Sequence, residues 1–158
     1  MVGGLSVTMT KVPAPSDSPA SDRLPARSLP APLARGDAGI LLADDSPVAR
    51  RFAAKLLSDR GYRVEVALDG LDALGMLLDV KPDLLLLDSR MPRLDGFQAC
   101  ALVKRAPGLA DLPVVILSDC GGLYDRVRAH LAGARSCLAK PFTADELLNA
   151  VAGALSDG

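Results

Sequence analysis

The sequence predicts a doubly wound α/β domain: a five-stranded parallel sheet with helices on both faces, built from five consecutive strand–helix units. Three observations predict it. From Ala38 onward, short apolar runs alternate with amphipathic stretches of about ten to fifteen residues. One run, the "LLLL" of residues 84–87, is continuous rather than alternating, as a strand covered on both faces requires. Helix start and stop signals sit between the runs.

The strands are expected at "GILLA" (39–43), "YRVEVA" (62–67), "DLLLLD" (83–88), "PVVIL" (113–117) and "SCLAK" (136–140). The first helix is "SPVARRFAAKLLSDRG": Ser46 is the N-cap, Pro47 takes the first helical position, and Gly61 ends it. The third run is the central strand. The fourth is followed by Gly121–Gly122, which predicts a mobile loop or a tight turn before "LYDRVRAHLAG". The last helix, "TADELLNAVAGAL", opens on a capping box of Thr143 and Glu146 and spaces Leu147, Leu148, Val151 and Leu155 helically.

Residues 1–37 differ from the rest. Six of the twelve prolines lie there, at 13, 15, 19, 25, 30 and 32, among Ser, Ala and scattered charge. Such a segment buries too little to offset its ordering entropy and is expected to be a disordered arm, with the folded domain spanning 38–158. Its roles as a tether, a partner-binding arm or an overextended start before Met9 stay open.

With 158 residues, 49% hydrophobic and 23% charged, the chain is long enough for one packed core. A net charge of −1 gives no general attraction to nucleic acid or an anionic membrane. No apolar run approaches the roughly 18 residues of a membrane span, and the N-terminus lacks a secretory core. A cytoplasmic protein is expected. Cys100, Cys120 and Cys137 lack metal spacing and are expected to pack as reduced, small hydrophobes. His130, the single histidine, reads as a surface or half-buried residue.

Ligands of such sheets bind beyond the carboxyl ends of the strands. Asp44 and Asp45 follow the first strand, Asp88 the third, Ser118 the fourth, and Lys140 with Pro141 the fifth. Singly, each is an ordinary cap or turn residue. Together they converge three carboxylates, a hydroxyl and an ammonium on one rim. Clustered carboxylates without His or Cys suit a hard cation, and Mg²⁺ would keep several waters there. The set suits a carboxylate attacking phosphorus: Asp88 as nucleophile, Asp44 and Asp45 holding Mg²⁺, and Lys140 and Ser118 receiving the anionic oxygens.

On "DDSPVARR", "PDLLLLDSRMPRLDGF", "PVVILS" and "CLAKPF", residues 39–156 resemble the receiver domains of two-component response regulators. The resemblance implies the flavodoxin-like fold and Asp88 as phosphoacceptor. It implies Mg²⁺ held directly by Asp45, Asp88 and the backbone carbonyl of Arg90, with Asp44 in support. Ser118 and Lys140 would touch the phosphoryl group, and Lys140–Pro141 would be cis. "MPRLDGFQACALVK" and "GLYDRVRAHLAGARSCLAKPFTADELL" are similar to the stand-alone receivers of type IV pilus twitching motility. The end at Gly158 leaves no room for a DNA-binding output domain, so output is expected from the receiver surface or the arm.

Two positions depart from the family pattern. Cys137 stands where an aromatic switch residue is usual and lacks the bulk to lever a rotamer change. Asp119 stands where a small residue is usual; it either repels a phosphoryl group and raises a neighbour's pKa, or points to solvent. Arg90 occupies a site from which family side chains influence dephosphorylation.

The sequence therefore predicts a non-enzymatic, phospho-switched module that takes a phosphoryl group from a histidine kinase or phosphotransfer protein and acts on a protein effector it does not identify. The alternative is a constitutive receiver-fold binding module. A phosphatase of another α/β type would need a second carboxylate where Arg90 stands, and no Gly-rich phosphate loop follows the first strand. Arg126, Arg128 and Arg135 are interrupted by Asp125 and lack interleaved aromatics, which argues against nucleic-acid binding.

Overall fold

The computed structural model describes residues 37–156. The arm read from residues 1–37 therefore lies outside the described residues except for Asp37. The elements run β1 (Gly39–Ala43), α1 (Pro47–Asp59), β2 (Arg63–Ala67), α2 (Gly70–Val80) and β3 (Leu84–Asp88). They continue with α3 (Gly96–Arg105), β4 (Val114–Ser118), α4 (Leu123–Ala132), β5 (Ser136–Ala139) and α5 (Ala144–Ser156). All pairings are parallel, in the order β2-β1-β3-β4-β5.

The predicted alternation is present, with strand limits shifted by a residue. β2, β3 and β4 start one residue later than their apolar runs, β5 stops before Lys140, and β4 includes Ser118. Pro113 has no N–H for a ladder; its carbonyl still accepts from Leu85 N at 3.0 Å.

Side-chain alternation along the strands makes two cores. Ile40, Leu42, Leu84, Leu86, Val115 and Leu117 face α1 and α5, where Leu57, Leu147 and Val151 meet them. Leu41, Leu85, Leu87, Val114 and Ile116 face the other way, against Leu77, Phe97, Val103 and Ala129 of α2, α3 and α4. Leu84 to Leu87 are all fully buried, two to each core, which is why that run carries no polar residue.

The caps work as the sequence predicts. Ser46 Oγ accepts from Ala49 N at 3.3 Å, and Gly61 follows α1 with φ 96°. Thr143 Oγ1 accepts from Glu146 N at 3.1 Å while Glu146 Oε1 accepts from Thr143 N at 2.8 Å. Asp95 and Gln98 form a second such box on α3. Asp69 caps α2 and also binds Arg93 through two hydrogen bonds of 2.7 and 3.0 Å, tying the β3–α3 loop to α2.

The cysteines divide. Cys100 is buried and Cys137 half-buried, as expected of small hydrophobes, but Cys120 is exposed because it sits in the β4–α4 loop beyond both cores. His130 is exposed on α4. Among the described residues no helix is long and apolar enough to cross a membrane.

Candidate functional site

The strand order reverses between β1 and β3, which lie side by side although β2 separates them in sequence. The connections leave the sheet in opposite directions there, opening a crevice at the carboxyl ends. Asp88 ends β3, and Asp44 and Asp45 follow β1 directly, so the crevice brings one carboxylate oxygen from each within 4.8 Å of the others. Asp44 and Asp88 are buried and Asp45 is exposed.

Local hydrogen bonds orient Asp44. Its Oδ1 accepts from Ser46 N at 2.9 Å, and its carbonyl accepts from Arg50 at 2.7 Å. Lys140, just past β5, reaches across the rim: its Nζ lies 2.9 Å from Asp88 Oδ1 and 3.2 Å from Asp44 Oδ2. One ammonium thus joins two buried carboxylates. The Lys140–Pro141 peptide is cis, as the resemblance implies.

The charges do not balance. Burial pushes the Asp88 carboxyl up to about 6; Lys140 opposes this by hydrogen bond and charge, while Asp44 and Asp119 add to it. Lys140 is raised: burial acts to lower it, but its bonds to Asp88 and Asp44 outweigh burial. With one ammonium among three carboxylates, the pocket is short of positive charge. An all-oxygen donor set with Asp45 open to water fits a hard divalent cation.

Asp119 does not simply point to solvent. It pairs with Arg90 at 3.3 Å and lies 3.9 Å from Lys140, and its charge helps raise Asp88. The Arg90 side chain is largely exposed in that pair. Gly96 opens α3 against the Asp88 carbonyl, where a Cβ would collide with backbone; only glycine permits this approach.

Ser118 is the surprise of the rim. Asp88 registers opposite Leu117, so Ser118 lies one residue farther along β4 and on the opposite face. It is fully buried, and its hydroxyl donates to Asp125 Oδ2 of α4 while accepting from Gly121 N at 3.0 Å. In the sequence Asp125 only interrupts a set of arginines; in the structure it is a buried carboxylate in the first turn of α4. Its legible trace was an acid shortly after a Gly-Gly pair, in a helix with no capping side chain. A cleft of about 720 Å³ runs from Asp45 and Arg90 past Cys120 to Tyr124, Asp125 and Arg128. Arg128 covers the Phe97 ring at 4.1 Å, closing the cleft toward α3.

Comparison with known proteins bears on the family and the fold. The family model for the response regulator receiver domain matches residues 40–152. The chain is 41% identical over 112 residues to Protein PilG of Pseudomonas aeruginosa, covering 71% of this chain and 83% of PilG. It is 41% identical over 109 residues to Response regulator MprA of Mycobacterium avium, covering 69% of this chain but only 47% of that longer protein. The crystal structure of chemotaxis protein CheY4 of Vibrio cholerae superposes with a TM-score of 0.72 at 29% identity, covering 75% of this chain and 99% of that one.

Proposed function

Because the chain belongs to the response regulator receiver family, we propose that it accepts a phosphoryl group on Asp88 from a histidine kinase or phosphotransfer protein and signals through protein–protein contacts. The observation that carries this reading is the Lys140 ammonium shared between Asp88 and Asp44 within a cluster of three carboxylates.

In the transfer, an Asp88 carboxylate oxygen attacks phosphorus and forms the new O–P bond. The donor's bond to phosphorus breaks and the donor leaves with the electron pair. Mg²⁺, held by Asp45, Asp88 and the Arg90 carbonyl with Asp44 behind them, would offset the charge of the transferring group. Lys140 stays with the oxygen that gains charge, and its ties to β1 and β3 fix it in place beforehand. Asp44 is held by Ser46 and Arg50 and orients that ammonium. Asp45, being exposed, is the side from which donor and cation enter.

The similarity to PilG supports control of twitching motility or a chemotaxis-like pathway as the setting, in the cytoplasm and with a protein effector. The test is intact-mass spectrometry after incubation with Mg²⁺ and a small acyl phosphate. We expect one added phosphoryl group, lost in Asp88→Asn and when Mg²⁺ is chelated. A constitutive binding module, the reading favoured by the small side chain at Cys137, would give no adduct with small donors or candidate kinases.

A further inference from the structure

Arg93, in the β3–α3 loop, is bent into a conformation its side chain does not favour. Its φ is 68°, and the Leu94 N–H donates to the Pro92 carbonyl at 2.7 Å across it, which makes a three-residue turn of the strained hand. Among the described residues only Lys81 shares a positive φ without being glycine, and Lys81 ends α2, where the left-handed conformation is a usual stop. No helix end accounts for Arg93. Such a turn persists only where its surroundings enforce it.

The start of α2 enforces it. Arg93 Nε donates to Asp69 Oδ2 at 2.7 Å and Nη2 donates to Asp69 Oδ1 at 3.0 Å. Asp69 is buried and fixed in its own right, since Oδ1 also accepts from Asp72 N at 2.8 Å. Next to this pair the Leu94 carbonyl presses on Gly70, where a Cβ would stand 2.3 Å from the oxygen. The Arg93 side chain is more than half exposed. Even so, two parallel bonds to a buried carboxylate fix its geometry in a way that an exposed single contact does not.

The same loop carries Arg90, which lines the cleft together with Asp45. The Arg90 carbonyl accepts no hydrogen bond from the described residues, so nothing bonded to it directly sets its direction. Gly96 N on the Ser89 carbonyl at 3.3 Å closes the base of the loop, Met91 is buried in the second core, and the Arg90 side chain pairs with Asp119. The turn beyond Met91 is held to α2 by Asp69 and by the Gly70 contact. We propose that Arg93 is a positioning residue for the cation: its pair with Asp69 holds the strained turn and thereby keeps the Arg90 carbonyl in place as a Mg²⁺ ligand. This rests on Mg²⁺ being held by Asp45, Asp88 and that carbonyl, and it names what prepares the uncharged member of the set. Mg²⁺ demands a near-ideal octahedron and keeps its waters readily, so an unaimed carbonyl loses to water.

The experiment titrates Mg²⁺ alone into the isotope-labelled full chain. The amide resonance of Asp88 reads the dissociation constant, and urea unfolding in a chelator reads stability separately. The wild type should bind, and Asp45→Ala should lose most of that binding. Arg93→Ala should raise the dissociation constant about tenfold, the low end for loss of a group that orients a metal ligand. Arg93→Gly accepts the left-handed φ without strain, so it should unfold at higher urea than Arg93→Ala and still bind as weakly. Asp69→Asn keeps a cap on α2 without the charged pair; it should weaken binding several-fold, and the double variant should bind no more weakly than Arg93→Ala. Unchanged affinity in Arg93→Ala or Asp69→Asn, or an affinity that Arg93→Gly recovers along with stability, overturns this inference and leaves the carboxylates as the Mg²⁺ site. No Mg²⁺-dependent shift at Asp88 in the wild type overturns both.

Discussion

At the scale of single residues, the site is held under electrostatic tension. The Asp88 carboxyl titrates near 6 in the folded chain against 3.8 for the unperturbed group. Its ionised form is therefore disfavoured by folding: the penalty is absent below pH 3.8, grows up to about 6, and is complete above that. Asp88→Asn removes it, so the variant should be more stable at pH 7 by up to about 3 kcal/mol and no more stable near pH 4, as measured by urea unfolding at both values. A hard cation acts in the same sense. Added Mg²⁺ should raise the wild-type midpoint of thermal unfolding, and Asp45→Ala, a change at an exposed position, should lose most of that rise. The acids and the lysine were legible in the sequence because each sits at a strand end, where the fold class says to look; Ser118 also ends a strand, but its side chain turns to Asp125 instead of joining the carboxylates. Asp125 was not legible. Its meaning comes from packing α4 beside β4, a contact between residues 118 and 125 that no periodicity reports.

At the scale of elements, the same local rules that predicted the helices set their energetic weight. Thr143→Ala removes half of the box that starts α5, and the expected loss is about 1 kcal/mol, read as a lower urea midpoint with unchanged slope. α3 and α2 have side-chain caps of their own from Asp95 and Asp69; α4 has none. The start of α4 is held instead by Asp125 on Ser118 and by Arg126 on the Gly122 and Gly121 carbonyls. The strands were legible to within a residue, with differences only at their ends, where Tyr62, Asp83, Pro113 and Lys140 fall outside the ladder and Ser118 falls within it. That β3 lies centrally was predicted by its unbroken apolar run, since only a strand covered on both faces has no use for alternation.

At the scale of the whole molecule, the sheet divides two cores and belongs to both. Leu86 is fully buried in the core beneath α1 and α5, and Leu86→Ala should cost about 3 kcal/mol in a single cooperative transition. The rim is less evenly supported than the cores. Asp44 and Asp88 rise from β1 and β3, interior strands paired on both sides. Lys140 follows β5, an edge strand of four residues that are half-buried or exposed. An edge strand of that kind opens before the global transition. When β5 frays it carries away the ammonium and leaves two buried acids facing each other. Warming should therefore switch off phosphoryl acceptance several degrees below the unfolding midpoint, and reversibly, so that a cell running hot would lose the signal while keeping the protein.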